Sequence, residues 1–434
     1  MRAWTLVVAL AGSLLGCFGD PDPNPNRPTA PAENDPAFTT DGLRHWYLLG
    51  DGARPAMDQV TAYITAPSGT DFVDAYIPDL PPIRMHGQDG GFAMDVSIAS
   101  LGVGAHEVLF SANGSNTAFA KWTLNRSAAY YVLVSTDYDF SEPGTTSIDL
   151  MDALHRDHPG LVITHFWPPY TYTDPMVTPE RRDELDVWIK KQRDELHDEI
   201  ALHIHPWCNF VETAGITCIT DQSTVYPAGD TTGYTIKLSA YEREPMGKLL
   251  QQAATIFGQR GLGTPKTFRA GGWTADANTL LALADNGYVA DTSALNWTYI
   301  KEEWPNSELL NWNMTHWATI GDTTQPYYPS ISDPLVSTPG SNINLLEVPD
   351  NGVMIDYVSL EQMNAIFDAN WDGAPFAGPR TLMMGFHPSE SFGLSQWRRV
   401  HGFLDYADMH SSNRDLGPVV YITLSDVTLA FPGQ

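Results

Sequence analysis

Two histidines one residue apart, His203 and His205, close the apolar run 200–205. An acidic pair with the same spacing, Asp137 and Asp139, closes the run 129–136. Residues i and i+2 of a strand point to one side, so each pair can present two groups to one pocket. Two imidazoles and a carboxylate suit a divalent metal, zinc above all, that keeps an open position for water. Such a metal brings the pKa of bound water down to about 7. Other ionisable residues close other apolar runs: Arg269, Asp291, Glu347 with Asp350, and His387. Taken singly, a histidine at a strand end is an ordinary polar residue, and an acidic pair there is an ordinary turn or helix cap. Taken together, these types suit one reaction, metal-assisted hydrolysis with an acid and a base at hand.

The elements that must position them alternate. The runs 129–136 and 161–167 are continuously apolar, as strands buried on both faces should be. Between the second run and 200–205, Thr178 and Pro179 read as helix cap and first turn. Leu185, Trp188, Ile189, Leu196 and Ile200 then recur at helical spacing. Repeated strand–helix units over residues 128–434 point to an α/β fold, a barrel or a doubly wound sheet. In a barrel the chemistry stands at the carboxyl ends of the strands, where these residues fall. Residues 41–127 differ. Short alternating runs broken by Gly, Pro and Asn, with Asn113-Gly114 at a hairpin tip, predict a small all-β sandwich of immunoglobulin-like type.

With the motifs in order, the C-terminal part resembles the polysaccharide deacetylase superfamily (NodB homology, similar to carbohydrate esterase family four). The carrying segments are Ser135-Thr136-Asp137-Tyr138-Asp139, His203-Ile204-His205, Phe268-Arg269-Ala270-Gly271-Gly272-Trp273, 291–297 and 384–388. The resemblance implies a distorted (β/α) barrel and metal-dependent hydrolysis of N-acetyl groups on a carbohydrate. It implies Asp137 as base, Asp139, His203 and His205 as metal ligands, Arg269 as the residue orienting the base, and His387 as the acid. Trp207, Trp273 and Asp291 would contact substrate. Two departures stand out. The aspartates are not adjacent, which leaves the roles of Asp137 and Asp139 exchangeable. The histidines are separated by one residue where the family has three. The insertion 209–234 follows at once and would cap the site. A related hydrolase of a small amide, and a carbohydrate-binding protein without turnover, are the alternatives.

The bulk composition bears on partners and location. Lys+Arg is 24 and Asp+Glu 52, a formal charge of −28, which repels nucleic acid and anionic lipid surfaces. Hydrophobic residues are 43% and aromatics 11%, ample for a core. Residues 1–16 have signal-peptide character: Arg2, then an apolar run. Leu14-Leu15-Gly16-Cys17 resembles a bacterial lipobox, with Cys17 lipidated and 17–40 a Pro-rich tether. The chain would then be held at the bacterial cell envelope by its lipid alone. Cys208 and Cys218 are left, and their spacing fits a disulfide better than a zinc pattern.

Overall fold

A computed structural model describes residues 26–141, 145–220, 231–388 and 393–433. The signal segment and Cys17 lie outside the described residues. The chain divides into two compact units. Among the described residues no helix is long and apolar enough to cross a membrane.

The first unit comprises residues up to Leu43, Gln59–Gly102 and His106–Leu124. An antiparallel sheet runs in the order Thr40–Asp41, Gln59–Ile64, Gly91–Ser97, His86–Gln88. In Gln59–Ile64 the residues Val60, Ala62 and Ile64 are buried and their neighbours are not, the period-two signature of a half-buried strand. A second sheet contains Gly104–Ala112, Ala120–Ser127, Val73–Tyr76 and Ile83–Arg84. Asn113 and Gly114 both take positive φ (53° and 70°), as a tight hairpin turn demands.

Two expected boundaries move. The stretch expected as a free tether is bonded well before residue 40. Thr29 N–H donates to Asn116 O, Ala118 N–H to Thr29 O and Asp35 N–H to Phe119 O, each at 2.8–2.9 Å. A Pro-rich composition bars repeating structure, but the remaining N–H groups still seek partners. The cut expected near residue 127 is not single either. Arg44–Asp58 belongs to the second unit. There His45 and Trp46 N–H donate to the Asp415 carboxylate at 2.7 and 2.9 Å, and Tyr131 Oη–H donates to Asp51 at 2.7 Å.

The second unit is the α/β part. Its strands are β1 (Tyr130–Asp137), β2 (Ile163–Trp167), β3 (Glu199–Ile204), β4 (Thr267–Ala270), β5 (Ala290–Asp291), β6 (Leu346–Glu347), β7 (Arg380–Phe386) and β8 (Val419–Tyr421). They form one parallel sheet in the order β6-β5-β4-β3-β2-β1-β7, with β8 also on β1. All eight residues of β1 are buried, which is why its sequence is continuously apolar up to its polar end. Helices α1 (Thr145–Asp157), α2 (Pro179–Leu196), α3 (Arg243–Arg260), α4 (Ala277–Asp285), α5 (Leu360–Asn370) and α6 (Leu394–Asp408) fall between strands.

Helix α2 starts as its sequence predicts. The Thr178 hydroxyl accepts from Arg181 N–H, and Pro179 stands at the first position. It stops earlier than expected. His197 turns left-handed (φ 66°) and its N–H returns to Gln192 O, so Ile200 belongs to β3 and not to the helix.

The two-residue strands β5 and β6 are extended by irregular bonds. Asp350 N–H donates to Ala294 O and Asn296 N–H to Asp350 O. Gly352 N–H then donates to Met383 O, Gly385 N–H to Val353 O and Ile355 N–H to Gly385 O. The segment 350–355 therefore carries the ladder on to β7 and curls the sheet. A Cβ on Gly352 would lie 2.2 Å from Met383 O, so only glycine allows that approach.

Candidate functional site

At the carboxyl end of β1 the Asp137 carboxylate accepts from Arg269 Nη1 at 2.8 Å. Asp137 is 3% exposed and Arg269, on β4, is fully buried. Nη1 also donates to Ser135 Oγ at 3.0 Å, and Nε to Thr292 O at 3.3 Å. The guanidinium lies 4.5 Å from the centre of the Phe166 ring. Asp350 stands on its far side, with Nη2 to Oδ2 at 3.6 Å. Burial pushes the Asp350 carboxyl up to about 6 against the pull of Arg269. A buried guanidinium held this way fixes Asp137 in one orientation, and removing either partner would strand a buried charge.

Asp139 lies just past the strand end. Its Oδ1 is 3.3 Å from Nε2 of both His203 and His205. Its Oδ2 accepts from Tyr234 Oη–H at 3.2 Å and is 3.9 Å from His387 Nε2. One potential ligand atom from each of Asp139, His203 and His205 lies within 4.8 Å of the other two. His203 is in β3 and His205 directly follows it, so alternation turns both rings to the same side. The one-residue spacing therefore still presents two rings to one carboxylate.

The ring nitrogens are distinct. His203 Nδ1 donates to Arg269 O at 2.9 Å, and His205 Nδ1 donates to Tyr234 O at 3.0 Å. A carbonyl only accepts, so Nδ1 carries the proton in each ring and Nε2 of the neutral ring holds a lone pair. His205 Nε2 is buried and, though 3.3 Å from Asp139, has no hydrogen bond of acceptable geometry. With a second proton His203 Nε2 donates to Asp139 Oδ1 at 3.3 Å; in the neutral rings the Nε2 lone pairs meet the carboxylate, acceptor against acceptor. A divalent cation among the three groups would take those lone pairs, and imidazoles anchored through Nδ1 are the usual form of such ligands. The residues fit a metal of the zinc type. Burial alone would raise the Asp139 carboxyl, but His387, His205 and His203 hold it well below the usual range.

His387 follows the end of β7. Its Nδ1 and its backbone N–H both donate to Asp356 Oδ2, at 2.8 and 3.1 Å. Burial would lower its pKa, but the carboxylates of Asp139 and Asp356 outweigh that and push it up to about 10. Asp356 was missed in the sequence. It sits in an irregular turn without periodicity, 31 residues before its partner.

Other expected residues take different places. Trp207 Nε1–H donates to Asp139 O at 3.2 Å, and its ring lies 4.9 Å from that of Tyr234. Tyr234, also missed, closes the insertion 209–234. Its ring lies 4.6 Å from His205 and 5.4 Å from Phe140. The insertion starts at a disulfide, Cys208–Cys218, as the spacing suggested. Residues 221–230 of it lie outside the described residues. Trp273 is 3% exposed and gives its N–H to Asp350 Oδ2 at 2.9 Å. Asp291 is fully buried, accepts from Ser293 and sits beside Glu347; burial pushes it up to about 6. Both Trp273 and Asp291 therefore buttress the strand ends, and neither offers a polar edge to a ligand. Gly271 matters by its lack of a side chain, since a Cβ there would lie 2.6 Å from the His205 ring.

No family model matches the chain, and no curated protein does. Among solved structures, a protein from Mycobacterium smegmatis assigned as a polysaccharide deacetylase superposes with a TM-score of 0.42. Its identity is 14%, covering 69% of this chain and 89% of that one. A family 4 carbohydrate esterase from Streptomyces lividans, in complex with acetate, gives 0.33 at 10% identity over 70% and 95%. An allantoinase gives 0.38 at 13% over 70% and 89%.

Proposed function

We propose that the second unit is a metal-dependent hydrolase that removes acetyl groups from amide nitrogen on a carbohydrate. One observation carries the reading. An Asp139–His203–His205 triad with both Nε2 atoms 3.3 Å from Asp139 Oδ1 stands between an arginine-held carboxylate and a carboxylate-held histidine. When bound, a divalent metal there polarises the amide carbonyl and makes water acidic enough to deprotonate near neutral pH. Asp137 accepts the proton of the attacking water on its carboxylate. Arg269 keeps that carboxylate aimed. His387 gives its Nε2 proton to the departing nitrogen, which leaves poorly as an anion. Asp356 fixes the histidine so that Nε2 points toward Asp139. Phe140 is half exposed, and with Tyr234 and Trp207 it forms an aromatic ledge beside Asp139, a surface suited to a sugar ring. Acetate release from acetylated glycans, set against release from small amides, tests the reading. Turnover of small amides alone would assign the same atoms to a different substrate. No turnover of either by metal-loaded protein would leave a binding protein.

The Asp356–His387 pair predicts a pH effect. A histidine raised to about 10 keeps its proton below that pH and loses it above. An acid step through His387 therefore has an alkaline limb. A bound cation offsets part of the pull of Asp139, which places that limb between about 6.5, the ordinary histidine value, and about 10. Asp356→Asn removes one raising charge, so the alkaline limb of kcat moves toward lower pH while metal content is unchanged. A limb that stays in place in Asp356→Asn assigns the acid elsewhere.

The lipid anchor is a separate proposal resting on 14–17. Cys17→Ser in the bacterial host is expected to move the chain from the membrane fraction to the soluble fraction. An unchanged distribution on cell fractionation rejects lipidation at Cys17.

A further inference from the structure

A second group of metal-type residues lies on the outer helices of the α/β unit. His158, one residue past the end of α1, and His401 and Asp405 of α6 each place a potential ligand atom within 4.8 Å of the other two. Helix α1 sets out from the carboxyl end of β1 and runs back along the sheet. His158 therefore lies toward the end of the strands opposite Asp139. His401, Asp405 and Asp408 follow at i, i+4 and i+7, one edge of the helix.

The protonation pattern repeats that of the first site. His158 is 1% exposed, and its Nδ1 donates to Asp408 Oδ2 at 2.9 Å. Asp408 is held in turn by Tyr421 Oη–H at 2.9 Å. The proton is thus fixed on Nδ1, and Nε2 is buried without any hydrogen-bond partner. A buried nitrogen left so is costly if nothing binds it. The His401 ring stands edge to face with the His158 ring, centroid to centroid 4.5 Å. His401 Nδ1 is 3.1 Å from Asp405 Oδ2, and its Nε2 is 3.7 Å from Asp157 Oδ2. A tyrosine–carboxylate–imidazole chain ending in a bare lone pair, beside a second imidazole and two carboxylates, is the supported arrangement that metal sites have.

We propose that His158, His401 and Asp405, with Asp157 at the rim, bind a second divalent transition metal. Two imidazoles and a carboxylate favour zinc, nickel or copper(II) over calcium or magnesium. The role is structural: the metal joins the end of α1 to α6, and binding to the folded chain alone raises its stability. No step of the hydrolysis depends on it.

Zinc titration by calorimetry on the full chain, with and without substitutions, decides the matter. The His203→Ala/His205→Ala chain is expected to bind one zinc per chain still, and zinc is expected to raise its melting temperature. Adding Asp405→Ala or His401→Gln to that chain weakens the remaining site at least tenfold. Asp405 is 65% exposed in its side chain, so its loss does not threaten the fold. A His203→Ala/His205→Ala chain that binds no zinc overturns the second site. So does a His401→Gln chain, otherwise parental, that binds as much zinc as the parent. If the parent binds a single zinc that survives His203→Ala/His205→Ala and is lost in His401→Gln, the second site stands and the first falls.

Discussion

Asp137→Asn is expected to lower acetate release by about 10²- to 10⁴-fold, the usual worth of a positioned general base. Metal binding should be unchanged. Asparagine keeps the shape and an acceptor oxygen for Arg269 Nη1, now 2.8 Å from Asp137 Oδ1, but cannot take a proton from water. Asp139→Asn is expected to do the reverse first, losing metal and with it activity, because Asp139 Oδ1 is the oxygen within 3.3 Å of both imidazoles. The two variants together settle the exchange of roles that the sequence alone leaves open. Metal loss in Asp137→Asn, with metal kept in Asp139→Asn, would exchange base and ligand. Arg269 is expected to tolerate Asp137→Asn better than a lone buried cation would, since Asp350 Oδ2 remains 3.6 Å away. A loss of unfolding free energy well short of the about 3–5 kcal/mol typical of breaking a buried pair follows, read by denaturant unfolding.

The legible part of the molecule is the part that local spacing determines. An unbroken apolar run made β1 readable as a strand buried on both faces, and its polar end as a site. Alternation made His203 and His205 readable as neighbours on one side, and the structure brings both to Asp139. Thr178 and Pro179 announced α2. What stayed hidden depends on partners far away in the chain. Asp356 reaches His387 across 31 residues, and Tyr234 reaches Asp139 across 95. Neither lies in a periodic segment. Arg44–Asp58 leaves one unit to join the other, because Asp415 accepts its N–H groups 370 residues on. The strands β5 and β6 are two residues long and are completed by irregular bonds, so no run of their own marks them. Trp273 and Asp291 sit where motif order places substrate contacts, yet burial turns them into props for Asp350 and Glu347. Type and position in a motif do not report which way a side chain faces.

His203→Ala/His205→Ala carries the second large effect. It removes both imidazole ligands at once and leaves Asp139 with Tyr234 and His387 for company. Acetate release should fall to background. Adding zinc should not restore it, since a water without the metal has a pKa near 15.7 and no nucleophile forms at neutral pH. The fold should persist, because Ala at these strand-end positions keeps the β3 ladder to β2 and β4.

The account turns on whether Asp139, His203 and His205 hold a metal, and metal content measures that directly. The chain to use carries Asp405→Ala, so that the outer cluster does not contribute. After zinc loading and mild dialysis, about one zinc per chain is expected, falling to none when His203→Ala/His205→Ala is added. Retention of that zinc in the added variant, or no zinc in the Asp405→Ala chain after loading, would contradict the metal centre and the hydrolase built on it.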